Sequence, residues 1–312
     1  MAWSPKGEVP KDIPGRVRGI SEDGRIVLVD YPSGASMMGA DVFKTRAIDL
    51  ATRRALAIGS PGLSRGSNGR YSLSVAKEDP RPLQGAPGFF LPFYEADDQA
   101  FISVDAMPNA REMVFGYHMW SATERRRYAG EALVSIAPDT YGKSITLADP
   151  LSGARSNEFL GEVWLSGHRL HRVELQATAK RRALYDVEYD FDHRRTSARL
   201  VSRLNWTGGG YGLNVTSGDR LGQAIATVVG PMGGQWLIGQ GKRTRLPQGN
   251  WRIWLGHVVD GYGASLREWR NDRVRPLLPR YVVLRGSTNG RWLLVNRTRD
   301  RQVVLMYFSK RW

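Results

Sequence analysis

Apolar and polar residues alternate with a period of two along much of this chain. Arg172-Val-Glu-Leu-Gln-Ala-Thr178 places Val173, Leu175 and Ala177 on one face of a strand. Leu184 to Phe191 alternates in the same way, setting Val187, Tyr189 and Phe191 opposite Asp186, Glu188, Asp190 and Asp192. The run Arg25 to Asp30 follows Asp23-Gly24, a hairpin dipeptide that supplies positive φ. The same reasoning predicts strands over 198–206, 224–229, 251–259, 281–284, 291–295 and 302–308. The 35 glycines lie mostly between such runs and point to the short turns of a sandwich or barrel.

Helix signals are few. Ser121-Ala-Thr-Glu124 has the spacing of a capping box and predicts a short helix over 125–133. Weaker patterns predict a helix over 45–58 and a helical turn over 264–271. An internal echo relates Arg65-Gly-Ser-Asn68-Gly69-Arg70-Tyr71 to Arg285-Gly-Ser-Thr-Asn289-Gly290-Arg291-Trp292. Both set Asn-Gly before an aromatic-led strand, which is hairpin chemistry; two copies fall short of a repeat protein. Proline and glycine concentrate over 78–92 and mark a boundary. The expected organisation is therefore mostly β. A smaller N-terminal β module over 1–80 precedes a jelly-roll or concanavalin-like β-sandwich over 81–312, with one or two short helices.

Charge sharpens this picture. Up to Ser156 there are 19 Lys and Arg against 18 Asp and Glu; from Asn157 onward there are 26 against 12. The second half thus holds nearly all of the +15 net charge, and it holds eight of the ten tryptophans. Cations mixed with flat aromatic rings suit contact with an anionic partner. The absence of cysteine excludes disulfides, thiolate metal sites and Cys nucleophiles. No signal-peptide pattern opens the sequence and no apolar run is long enough to span a membrane. A virion or cytoplasmic location follows as the expectation.

The sharpest candidate for chemistry is the acidic strand. Carboxylates two residues apart share a face at about 6.6 Å, and crowding raises their pKa values. Asp186, Glu188 and Asp190 could serve as acid and nucleophile, bind calcium, or form a solvated face. Their spacing resembles the Glu-x-Asp-x-Glu strand of concanavalin-like β-glucanases, with both outer glutamates replaced. A second stretch, from Gly249 through Trp251, Asp260-Gly261 and Trp269 to Arg275, resembles laminin-G and concanavalin-like lectin sandwiches. In those folds the Trp is core and Asp-Gly closes a hairpin; Gln302 to Phe308 looks like their last strand.

In texture, many glycine-linked strands without cysteine or a cofactor motif, the chain is similar to bacteriophage minor tail or baseplate proteins. That resemblance implies a non-catalytic attachment role without cofactor or metal. Its partners would be other virion subunits or further copies of itself, and an anionic glycan or nucleic acid. A polysaccharide-degrading enzyme using Asp186, Glu188 and Asp190, and a nucleic-acid-facing virion protein, are the alternatives. The candidate contact residues are Trp206, Tyr211, Trp236, Arg243, Arg245, Trp251, Trp254 and Trp269, since aromatic faces stack and Arg pairs with anions.

Overall fold

The structure is a computed structural model that describes residues 3–8, 16–35, 41–56, 61–75, 83–84, 99–121, 124–148, 157–160, 163–177, 182–204, 213–228, 233–239, 241–261 and 264–308. Every regular element among them is a β-strand. After β1 (Trp3–Glu8), the first sheet contains β2 (Arg16–Ile20), β3 (Ile26–Ala35), β4 (Asp41–Asp49) and β5 (Arg54–Ala55). A hairpin, β6 (Pro61–Arg65) and β7 (Tyr71–Val75), follows, and β8 (Leu83–Gln84) returns to pair with β4. The second sheet is β9 (Gln99–Asn109), β10 (Glu112–Ser121), β11 (Arg126–Ser135) and β12 (Ser144–Ala148).

The third sheet opens with two short pieces, β13 (Asn157–Phe159) and β14 (Trp164–Ser166), both paired with β15 (Arg169–Ala177). It continues through β16 (Arg182–Asp190) to β17 (Arg195–Arg203). The fourth is β18 (Leu213–Gly218), β19 (Ala224–Val228), β20 (Gly234–Gly239) and β21 (Lys242–Arg245). The fifth is β22 (Arg252–Trp254), β23 (His257–Asp260), β24 (Arg267–Arg270) and β25 (Arg273–Pro276). The sixth has β26 (Tyr281–Gly286), β27 (Trp292–Arg297) and β28 (Val303–Phe308); its fourth strand is β1, from the other end of the chain.

Each sheet is an antiparallel meander, and side chains on its middle strands leave alternately toward the sheet before and the sheet after. Among the described residues six buried apolar clusters result, one at each seam. Leu28 and Ala47 meet Ile102 and Phe115 between sheets one and two. Val114 and Leu133 meet Leu170 and Tyr189 at the next seam, and Val173 and Leu184 meet Val215 and Ala226 beyond it. Ile225 and Leu246 pack on Trp251 and Ile253, then Val259 and Leu266 on Val283 and Leu293. The last seam joins Leu294 of sheet six to Ile20, Val27 and Val29 of sheet one. The clusters therefore close a ring. First strands of neighbouring sheets touch one another (β2 with β26, β9 with β14, β18 with β22), which sets them around the axis and the last strands on the rim.

This is a six-bladed β-propeller, closed by the pairing of β1 with β28. It corrects the expected jelly-roll or concanavalin-like sandwich. A sandwich buries one face of each sheet, whereas here consecutive residues such as Ile26, Val27, Leu28 and Val29 are all buried because both faces meet a neighbour. Within the lectin-like stretch, Trp251 and Asp260-Gly261 belong to blade five, and Gln302 to Phe308 leads the third strand of blade six. The resemblance to laminin-G sandwiches fails for that reason.

The expected short helices are strands and turns as well. Ser121 Oγ does accept the Glu124 N–H at 3.4 Å, but the bond lies in the turn from β10 to β11. Over 45–58, Asp49 Oδ1 accepts from Ala51 N at 2.8 Å, and Arg53 takes φ 58°, so the chain turns from β4 into β5. The 264–271 stretch holds β24. No helix among the described residues is long and apolar enough to cross a membrane.

The Asn-Gly echo is the same turn used twice, in β6–β7 and in β26–β27. Asn68 Oδ1 accepts Arg70 N at 3.0 Å, and Asn289 Oδ1 accepts Arg291 N at 2.9 Å. Asp23-Gly24 builds a third copy between β2 and β3. Gly24 is required there twice over. Its φ is +73°, and a Cβ would stand 2.4 Å from the Trp292 ring across the last seam.

Candidate binding groove and basic rim

The rim strands of blades three, four and five carry one sign of charge. Arg195, Arg199 and Arg203 lie on β17, Lys242, Arg243 and Arg245 on β21, and Arg273 and Arg275 on β25. No carboxylate occurs on any of the three. These are the terminal strands of their sheets and most of their residues are exposed. The basic half of the sequence is thus blades three to six, and much of its charge lies at the circumference.

Between blades four and five the rim opens into a groove of about 1000 Å³. Arg245, Leu246 and Pro247 form one wall, and Trp269, Asp272 and Val274 the other. Trp269 and Val274 are cross-strand partners and so share a face. Val274 is 41% exposed, unusual for an aliphatic strand residue. Arg245 is anchored by Nη2, which donates to Gly233 O at 3.0 Å. The turn bearing Asp272 has two non-glycine residues in left-handed backbone, Asn271 at φ 51° and Asp272 at φ 57°. The loop 246–250 is fixed from beneath: Trp251 Nε1 donates to Pro247 O at 2.7 Å, and Gln235 Oε1 accepts Trp251 N at 2.7 Å.

Of the residues expected to make contacts, Arg245 and Trp269 come together in this groove. Trp251 is fully buried and presents no ring face to solvent. Trp254 packs against the cluster between blades five and six, and Trp236 is half-buried on β20 opposite Arg245. Arg243 lies on β21, two residues from Arg245. Trp206 and Tyr211 fall outside the described residues.

The acidic strand β16 does align Asp186, Glu188 and Asp190 on one face, opposite the fully buried Val187 and Tyr189. That face is neutralised from within the chain. Asp186 accepts from Arg220 at 2.6 Å and Arg199 at 3.4 Å. Glu188 meets His171 at 3.3 Å, and Asp190 meets His193 at 2.9 Å and Arg169 at 3.4 Å. Asp192, just past the strand, holds His168 at 2.6 Å, which pushes that imidazole's pKa up. A general acid needs a raised pKa. Asp190 is instead held low, chiefly by the His193 backbone N–H. The glycosidase alternative loses the concanavalin-like sandwich on which it was read.

Two buried polar sites carry no signal in local sequence. At the seam of blades two and three, Arg172 donates to Glu174 at 2.6 Å and to the Tyr189 hydroxyl at 3.0 Å, and pairs with Glu131 of blade two. At the last seam, Glu22 is only 8% exposed; its Oε2 accepts Asn289 N at 2.7 Å, while Glu22 O accepts Asn289 Nδ2 at 3.0 Å. Burial pushes the Glu22 carboxyl up to about 8. Glu131 and Asn289 each lie in a different blade from the residue they meet, so only the ring brings these pairs together.

No family model and no curated protein matches this sequence. Among the solved structures similar to it are two at 8% identity and a TM-score of 0.37. One is the β-propeller domain of the Trilobed protease from Pyrococcus furiosus, with 95% of this chain and 93% of that chain covered. The other is the acylaminoacyl peptidase of Pyrococcus horikoshii, with 99% of this chain covered. This chain spans about half, 53%, of that peptidase's length. Both are peptidases by name. Nothing in these comparisons points to a virion protein, so the expected attachment role and its nucleic-acid-facing variant are set aside.

Proposed function

We propose that this chain is a binding scaffold whose basic rim takes up an acidic, extended protein segment. The observation that carries the reading is the set of three neighbouring edge strands, β17, β21 and β25, with cations on all and a carboxylate on none. An edge strand offers unpaired N–H and C=O groups to an incoming strand. Arginine on an edge deters pairing with copies of itself by like-charge repulsion, yet attracts a strand rich in Asp and Glu. A nucleic acid could use the charge but not the backbone ladder, which favours polypeptide.

A fluorescein-labelled nonaglutamate peptide tests this by anisotropy. Affinity is expected to fall at least about tenfold between 25 and 200 mM salt, as screening removes the attraction. The triple variant Arg203→Ser, Lys242→Ser and Arg275→Ser, one exposed cation per rim strand, is expected to weaken binding at least about tenfold at low salt. Its melting temperature should hardly move, since exposed substitutions of this kind cost about 0.5 kcal/mol or less each. Absence of binding at 25 mM salt, or an unaltered affinity in the triple variant, would refute the reading.

A further inference from the structure

We infer that the groove between blades four and five is a pocket for one large apolar side chain, carried by an acidic peptide lying along the rim. The inference rests on the rim reading and adds a specificity site to it. Position is the first argument. The groove opens between β21 and β25, so a segment drawn to Arg243 or Arg275 passes directly over it.

Composition is the second argument. Leu246, Pro247, Trp269 and Val274 supply apolar surface, and Val274 stands 41% exposed. Such an exposed aliphatic on a strand beside an indole is what an apolar anchor would bury. Arg245 keeps further N–H groups for a carboxylate, because among the described residues only its Nη2 is used, on Gly233 O. Asp272 on the opposite wall can accept a peptide N–H, a donor that a chain of phosphates does not offer. One cation, one carboxylate and an apolar floor match a peptide better than a polyphosphate.

Rigidity is the third argument. Pro247 O accepts Trp251 Nε1 at 2.7 Å, Leu246 N donates to Gln235 O at 2.9 Å, and Trp251 and Gln235 are joined by a bond of 2.7 Å from Trp251 N to Gln235 Oε1. A wall held in this way keeps its shape when empty, which lowers the ordering cost of binding.

Three fluorescein-labelled probes of similar charge, each titrated with the full chain, separate the possibilities. The first is a nonapeptide of glutamates with phenylalanine at its centre, the second the same peptide with serine at its centre, and the third a nine-nucleotide oligothymidylate. The Phe peptide is expected to bind about tenfold or more tighter than the Ser peptide. Val274→Lys removes apolar surface from the groove while adding a cation; it should bring the two peptides within about twofold without weakening the Ser peptide. The rim triple variant should weaken both peptides alike and leave their ratio intact, which also guards against misfolding of a single variant. Equal affinity of both peptides for the unaltered chain overturns the pocket and leaves the rim standing. Absence of binding by either peptide overturns the rim reading itself. Oligothymidylate binding as tightly as the Phe peptide overturns the choice of a peptide as occupant.

Discussion

Replacing Glu22 with glutamine is expected to stabilise the protein above pH 8 by up to about 5 kcal/mol and to give no such gain below pH 4.5. The sign follows from where the proton resides. Glu22 has a carboxyl pushed from 4.5 up to about 8 by burial at the seam of blades one and six. Between these values the folded protein keeps the proton and the unfolded chain loses it. Stability therefore falls as pH rises through that window, and the whole penalty is present above it. A tenfold change in proton affinity is worth about 1.4 kcal/mol, so the full window gives the upper figure.

Glutamine removes the charge at every pH while its carbonyl still accepts the Asn289 N–H that Oε2 now accepts at 2.7 Å. Its amide would take the place of Oε1, which is buried with no hydrogen-bond partner among the described residues, and that costs about 1–3 kcal/mol in return. Urea unfolding of both proteins from pH 4 to 9 is the check, and the quantity of interest is their difference. A difference that grows with pH supports a neutral Glu22 at neutral pH; a flat difference would show an ordinary, solvated carboxylate.

The strands were readable and their assembly was not, for reasons that particular residues make plain. Turn chemistry is local, so Asp23-Gly24 and Asn289-Gly290 marked hairpins correctly, with φ of +73° and +69° at the two glycines. Alternation on β16 was legible because its polar face is tied to charged partners such as Arg220 and His171. Yet β27 reads Leu293, Leu294, Val295 without alternation, since Leu294 fills the seam to blade one and its neighbours fill the seam to blade five. A strand buried on both faces has no period to show, and period was the ground for choosing a sandwich.

Helix signals misled because a hydroxyl or carboxylate accepting a nearby N–H serves a hairpin turn as well as a helix start. Ser121 and Asp49 both do the former. The groove was half legible. Arg245 and Trp269 stood out as cation and ring, but Val274 and Asp272 join them only because blade five packs beside blade four. Glu22 was invisible, since its partner Asn289 lies 267 residues away.

That distance also exposes the ring to test. In the closed propeller, β1 and β28 are antiparallel neighbours with Gly7 opposite Leu305, and nothing lies within 4 Å of a Cβ built at Gly7. Partners across an antiparallel pair have Cα atoms about 4.5–5.5 Å apart, within the range a disulfide spans. The chain has no cysteine, so Gly7→Cys with Leu305→Cys creates a single possible pair. Oxidised and reduced forms of that one variant share every side-chain loss, leaving the cross-link as their only difference. Closing a loop of about 300 residues is expected to stabilise the oxidised form by about 6 kcal/mol, less any strain in the bridge.

Mild oxidation of the dilute double variant, followed by mass spectrometry of the bridged peptides and thiol counting, is therefore the most direct measurement. A closed six-bladed ring gives a rapid intramolecular bridge between the two introduced thiols in monomeric protein, and a higher unfolding midpoint that reductant reverses. Two freely alkylated thiols, or bridges formed only between molecules, would mean that the first strand does not complete the last blade.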